Sequence, residues 1–260
     1  MTVRNLLKAA GSILAAGVLG ATLSTQIGLA QTAFAARYDN QIHATVAQKL
    51  SAKKPFANVQ SNVEDGIVTL TGTVDLYQRK LDAAKLARKA QNVAGVRNLI
   101  TVAGPTVADA QLQDKLATKL RYVRVGYDNM FDNFALGVKD GVVTVTGQTL
   151  NPVGKDEALA EVQNMPGVKD VVGDITVLPT SNFDDRIRLQ AARAIYRSAT
   201  LSKYAIDPAR PIRIIVDNGH LTLYGTVDNK MDKEIAGIRA GSVFGAFSVN
   251  NQLNVDNGKS

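Results

Sequence analysis

Few side chains in this sequence could carry covalent or metal chemistry. The chain has two histidines and no cysteine, so thiolate ligation, disulfide stapling and cysteine catalysis are all excluded. His43 falls in an apolar-periodic segment, and His220 follows an Asn-Gly turn on the outward side of an alternating strand. Neither has a second histidine with which to complete a metal or nucleophile set, so packing or surface roles are expected for both. Asp128-Asn129 and Asp132-Asn133 offer oxygens to a hard cation, but the glycine and closing glutamate of a calcium loop are missing, and a solvated turn is expected instead. No catalytic, cofactor or metal residue is assigned, and the chain reads as a binding protein and not an enzyme.

What remains is charge. In the segment 76–91, Ala83, Leu86, Ala87 and Ala90 share one helical face, which leaves Tyr77, Leu81, Lys85 and Arg88 outward and Arg79, Lys80 and Lys89 on the flanks. Only Asp82 opposes the five cations. At about 1 kcal/mol per basic residue near an anionic leaflet, such a face supplies roughly 4 kcal/mol of reversible, salt-sensitive binding, and Tyr77 and Leu81 add an apolar toe-hold. A solvated helix face is the competing reading. A secondary basic patch, Arg186, Arg193 and Arg197, follows one face of a later helix.

The elements that must position these residues come from a repeat. Residues 65–74 read DGIVTLTGTV, 140–149 DGVVTVTGQT and 218–227 NGHLTLYGTV, with turn glycines 75 and 78 residues apart. Asp-Gly and Asn-Gly accept the positive φ values of a two-residue hairpin turn, and the alternation that follows predicts a strand with one buried face. Val68, Leu70 and Val74 should lie inward, and Gly72, Gly147 and Gly225 are expected on that same face, beneath a helix backbone.

Around each hairpin the pattern is helix, two strands, helix, strand. The first unit has Ile42, Val46 and Leu50 on one face of a helix over 39–50, strands near 58–63 and 67–74, the basic helix closed by Gly95, and a last strand near 99–102. The second repeats this with a helix over 112–120, strands at 134–138 and after Gly141, a helix over 155–164 and a strand ending at Val177. Its insertion at 122–133, carrying Tyr127, Met130 and Phe131, reads as an extended helix end or a docking loop. In the third, Asp184 is expected to cap a helix over 187–196, followed by strands at 212–216 and near 252–255. The stripe Met231, Ile235 and Ile238 of its second helix fits either a shifted inward face or a docking surface. The fold class is therefore α+β: three tandem αββαβ units at 37–104, 105–180 and 181–260, each with two helices on one face of a three-stranded mixed sheet. Units of this size are marginal alone and should share interfaces.

Residues 1–36 read as a secretory signal peptide. Arg4 and Lys8 precede an apolar run from Ile13 to Leu23, and Ala33-Phe34-Ala35 supplies a cleavage signature, placing the mature start near Ala36 with no cysteine to carry a lipid anchor. The formal charge of +7 is uneven. The segment 37–104 holds ten Lys and Arg against five Asp and Glu, 105–180 seven against ten, and 181–260 eleven against eight. Basic outer units around an acidic middle one suit an anionic partner surface or contact between neighbours.

Turn glycine, alternating strand, glycine, alanine-rich helix and a Gly-Val before the last strand together resemble the BON domain family of bacterial envelope proteins. The marks are DGIVTLTG with VAGV at 93–96, DGVVTVTG with MPGV at 165–168, and NGHLTLYG with VFGA at 243–246. The resemblance implies a helical layer on a three-stranded sheet, a periplasmic location, and phospholipid binding, osmotic-stress protection or assistance to envelope protein biogenesis. The expected partner is an anionic phospholipid surface bound peripherally, with a soluble periplasmic chaperone or scaffold for envelope proteins as the alternative. Nucleic acid is not expected, because the chain is read as exported and no aromatic-basic motif lies on a strand face. The oligomeric state is left open.

Overall fold

The computed structural model describes residues 38–123, 129–207 and 210–256. The expected signal segment and the expectations for Tyr127 and Asp128 lie outside them.

Three αββαβ repeats follow one another. The first comprises α1 (Asp39–Ser51), β1 (Val59–Glu64), β2 (Ile67–Val74), α2 (Tyr77–Arg88), β3 (Gly95–Asn98) and β4 (Thr101–Val102). The second comprises α3 (Asp109–Arg121), β5 (Asn133–Lys139), β6 (Val142–Thr149), α4 (Pro152–Gln163) and β7 (Asp170–Val177). The third comprises α5 (Asn182–Tyr196), the short α6 (Lys203–Ile206), β8 (Arg213–Asp217), β9 (His220–Tyr224), β10 (Thr226–Val227), α7 (Lys230–Gly241), β11 (Ser248–Asn251) and β12 (Asn254–Val255). In each, the strand after the turn is central, antiparallel to the strand before it and parallel to the last.

The hairpin turns have the left-handed backbone that their dipeptides allow. Asp65, Asp140 and Asn218 sit at φ 50°, 54° and 50°, each followed by a glycine of positive φ. Beyond the turn, Val68, Leu70, Val143, Val145, Leu221 and Leu223 are fully buried against the inward faces of the paired helices.

One aspartate per repeat clamps this turn. Asp39 Oδ2 and Oδ1 accept the Asp65 and Gly66 N–H groups at 2.9 and 2.8 Å. Asp109 does the same for Asp140 and Gly141 at 2.6 and 3.0 Å, and Asp184 for Asn218 and Gly219 at 3.1 and 2.8 Å. The expectation that Asp184 caps its own helix is corrected: Ser181 Oγ is the cap, accepting the Asp184 N–H at 3.2 Å, and the carboxylate is turned to the hairpin.

Two further expectations are corrected. Gly72, Gly147 and Gly225 do not lie beneath a helix. They have φ of 105°, 144° and 124°, and a Cβ there would meet a backbone carbonyl leading into the neighbouring strand: Asn58 O at 1.9 Å, Asn133 O at 2.0 Å or Pro211 O at 2.9 Å. Glycine is needed for backbone conformation and strand contact. Gly95 is not the counterpart of Gly167 and Gly245 either. The positive-φ residue that precedes the last strand of the first repeat is Asn92, at 63°, and Gly95 pairs with Ile67 as Asp170 pairs with Val142 and Ser248 with His220. The first repeat therefore uses asparagine where the others use glycine, which moves its last strand three residues earlier than the VAGV motif suggests.

That last strand is interrupted in the outer repeats. Asn98 and Asn251 each donate Nδ2 to a helix carbonyl, Lys80 O and Lys233 O, both at 2.7 Å, and accept the N–H two residues on, Ile100 and Leu253, both at 3.3 Å. The second repeat has Gly173 at this place, and β7 runs unbroken along β6.

The repeats share interfaces. Tyr77 packs on the core of the second repeat. Of the two readings of the insertion, its described residues 129–133 follow the docking one: Phe131 and Met130 join the third repeat's core, and Arg213 donates from Nη1 to Asn129 O at 2.7 Å and Asp132 O at 2.8 Å. Asp132 and Asn129 are buried, so neither belongs to a solvated turn.

The clamp makes a direct prediction. An asparagine in place of Asp184 turns an amide N–H₂ toward one of two N–H donors in a buried site, so Asp184→Asn should lower stability by about 2 kcal/mol. Urea unfolding should show the loss together with faster exchange of the Gly219 amide; wild-type exchange would rule the clamp out as a stabilising contact.

Candidate functional site

Alanine governs how α2 sits: Ala83, Ala84 and Ala87 face inward and let the helix lie close to the sheet. Its cations are therefore divided among surroundings that differ. Arg79, Lys85 and Lys89 line a cleft of about 420 Å³ together with Lys53, Asp82, Pro55, Phe56 and Leu86. The far wall is the 3₁₀ turn Lys54–Phe56, with buried Phe56 at its base. Lys53 is the cleft cation that sequence reasoning missed, and its signal is the basic pair preceding Pro55-Phe56. Asp82 accepts Gln78 Nε2 at 2.9 Å, and Arg79 Nε meets Asp75 Oδ1 at 2.9 Å, half-exposed. Lys49 Nζ reaches the Lys89 carbonyl at 3.4 Å, tying the ends of α1 and α2 together.

The other expected residues are not part of this cleft. Arg88 is exposed, Leu81 and Lys80 are half-buried, and Lys80 lies one turn before inward Ala84. Tyr77 corrects the reading of an outward face. It is half-buried against the second repeat, where burial and then the Asp170 carboxylate raise the phenol's pKa, while the Val171 N–H opposes them.

The secondary patch is brought together in part. Arg186, Arg193 and Arg197 are all exposed on α5, but only Arg193 and Arg197 line a common cavity, joined there by Arg239 of α7. On α7 the inward residues are Asp232, Ala236 and Ala240, so Met231 and Ile238 point to solvent. Apolar exposure continues at the hairpin end of this repeat. Phe244 and Phe247 are 88% and 70% exposed, Phe183 and Phe247 rings lie 5.6 Å apart, and His220 stands edge-on to Phe247 at 6.1 Å. The first repeat has Ala94 and the second Lys169 where the third has Phe247, each donating its N–H to the turn glycine at 2.9 Å.

His220 Nδ1 meets Ser248 Oγ at 2.8 Å, and no group of three or more metal-ligating side chains occurs among the described residues. A sequence profile for the BON domain matches residues 38–104, 108–179 and 191–257. The chain belongs to the BON domain family. That family consists of binding modules associated with the cell envelope and with phospholipid, and no helix among the described residues is long and apolar enough to cross a membrane. The chain is also similar to two solved structures of CdsD, a structural protein of the type III secretion system of Chlamydia trachomatis. Each shares 11% identity at a TM-score of 0.23 over 82% of this chain; the alignment covers 90% of one CdsD chain and 96% of the other, a C-terminal domain. No curated protein matches.

In the third BON repeat, Lys203, Tyr204, Asp228 and Asp232 form one polar cluster. Buried Asp232 accepts from Tyr204 Oη at 2.6 Å and Lys203 Nζ at 2.8 Å, and Lys203 also reaches Asp228 at 2.6 Å. The bond to Lys203 draws the Asp228 pKa below the usual carboxylate range, and burial pushes the Tyr204 phenol up to about 12. This locks α6 to the start of α7.

At the contact between the first two BON repeats, the folded Tyr77 pKa is raised. The contribution is thus complete below the unfolded value of about 10 and is lost as pH rises through the folded value. Tyr77→Phe should cost about 1 kcal/mol at neutral pH through the lost interaction of the hydroxyl with Asp170 and make the decline of stability above pH 10 shallower, by at most one proton. Urea midpoints across that range measure both; an unchanged slope would mean that the phenol does not sense the second repeat.

Proposed function

We propose that this protein is an exported cell-envelope module that associates peripherally with anionic phospholipid surfaces, in envelope maintenance or osmotic-stress protection. The observation that carries the reading is the α2 cleft, where Lys53, Arg79, Lys85 and Lys89 surround an apolar base with Asp82 as the one carboxylate. Four cations less Asp82 and the Asp75 carboxylate paired with Arg79 leave a net two charges, which near an anionic leaflet contribute about 2 kcal/mol, on the order of a thirtyfold enrichment, which suits reversible docking. Lys80, Arg88 and Leu81 flank the cleft, whereas Tyr77 serves the contact between repeats. Export rests on the leader-like residues 1–36, and family membership supports the envelope setting.

A second reading, a soluble periplasmic chaperone or scaffold for envelope proteins, is favoured by one feature. The exposed Phe183, Phe244 and Phe247 give the third repeat an aromatic surface of the kind that binds apolar segments of other proteins. Such a protein would suppress aggregation of an unfolded client without lipid, and Phe244→Ser with Phe247→Ser would remove that activity.

The lipid reading is tested with vesicles. Lys53, Lys85 and Lys89 replaced together by Gln should lower sedimentation with anionic vesicles by roughly a hundredfold at low salt, with the fold intact because all three side chains are exposed. Raising salt from about 0.05 to 0.5 M should release the wild type as the screening length contracts. Equal binding to neutral vesicles, or an unaffected triple variant, would reject the proposal.

A further inference from the structure

Arg193 and Arg197 of α5 and Arg239 of α7 line, with Ala194 and Ser198, a cavity of about 270 Å³. The helices run in opposite directions: α5 begins at the turn that Asp184 clamps, while α7 leads into Ser248, paired with His220 beside that same turn. Helical side chains lean toward their own N-terminus. Arg193 therefore leans toward the hairpin end and Arg239 away from it, and both line the one cavity.

No carboxylate lines the cavity. Arg79, Arg188, Arg210 and Lys203 have carboxylate partners, whereas none of the three cavity arginines is paired with a described carboxylate. Like charges around one small space repel, and no described carboxylate is paired with them to offset it. A cation in the last turn of a helix complements the helix dipole, which accounts for one arginine on each helix but not for a third on the same cavity.

The repeats supply an internal comparison. Counting from the clamping aspartates and from the inward faces of the second helices, the first repeat has Gln48, Ala52 and Leu86 at these three positions, and the second has Thr118, Tyr122 and Glu161. The scaffold forms without the arginines. They therefore answer to something other than the fold.

We infer that the Arg193, Arg197 and Arg239 cavity of the third repeat binds a phosphate group. Guanidinium presents a planar pair of donors matched to two phosphate oxygens, and three such groups satisfy a dianion from several sides. The cavity is smaller than sites that enclose a drug-sized ligand, so it suits a compact anion or the exposed end of a headgroup. This site lies on a different repeat from the α2 cleft and does not depend on it.

The test titrates the full chain with inorganic phosphate, and with sodium chloride at equal ionic strength, while the arginine Nε–Hε resonances are followed by NMR. Phosphatidylcholine vesicles with and without phosphatidic acid form the second arm. Phosphate should shift the resonances of these three arginines saturably while chloride does not. R239Q and R197Q should each weaken the response by about tenfold, and R186Q, which removes an equal charge outside the cavity, should leave it unchanged. Saturation by inorganic phosphate assigns a soluble phosphate. Binding only to phosphatidic acid vesicles, lost in R239Q, assigns a lipid headgroup; both results support the site. Equal shifts with chloride, or equal weakening by R186Q, would overturn it. R239Q leaves the α2 cleft intact and the triple lysine variant leaves this cavity intact, so the two readings fail separately.

Discussion

A carboxylate holding two backbone N–H groups is the contact on which each repeat depends. The hairpin turn needs left-handed backbone at both central residues, and that conformation points both N–H groups away from the strands. Asp39, Asp109 and Asp184 receive them. The carbonyl of the same turn glycine then accepts from the last strand, through Ala94, Lys169 or Phe247. First helix, hairpin and third strand thus meet at one glycine, although far apart in sequence. Once they are joined there, the second helix completes the cover of the same sheet face.

The fold was legible because its signals are local. Asp-Gly and Asn-Gly turns, two-residue alternation and alanine-lined helix faces each depend on neighbours within a few positions. Long-range contacts left weaker traces. Asp184 resembles a helix cap by position, and only the approach of a turn more than thirty residues away gives it another role. Asn92 was hidden because a nearby glycine, Gly95, matched the expected letter, while the backbone requirement, positive φ, is one that asparagine also meets. The site was legible in part for the same reason. Helical spacing grouped Arg79, Lys85 and Lys89, and Arg193 with Arg197, but Lys53 and Arg239 join them across tertiary contacts that no periodicity encodes. Tyr77 misled because an outward position on one repeat is an interface once a second repeat packs there.

Within this shared frame the repeats diverge where the fold makes no demand. The position of Arg239 is Leu86 in the first repeat and Glu161 in the second; that of Phe247 is Ala94 and Lys169. The second repeat, whose segment carries more acidic than basic residues, meets both neighbours, receiving Tyr77 on one side and giving Met130 and Phe131 on the other. The α2 cleft lies on the first repeat and the exposed Phe244 and Phe247 on the third.

The clamp has a consequence for chemical ageing. Asn-Gly and Asp-Gly are the dipeptides most prone to succinimide formation, in which the glycine nitrogen loses its proton and attacks the preceding side-chain carbonyl. All three turns are built from them. In each, that nitrogen donates its proton to a carboxylate, at 2.8 Å for Gly66, 3.0 Å for Gly141 and 2.8 Å for Gly219. A neighbouring negative charge disfavours the deprotonated amide. The folded hairpin therefore preserves the very dipeptide that its geometry requires, and a chain that opens at the turn loses that protection first.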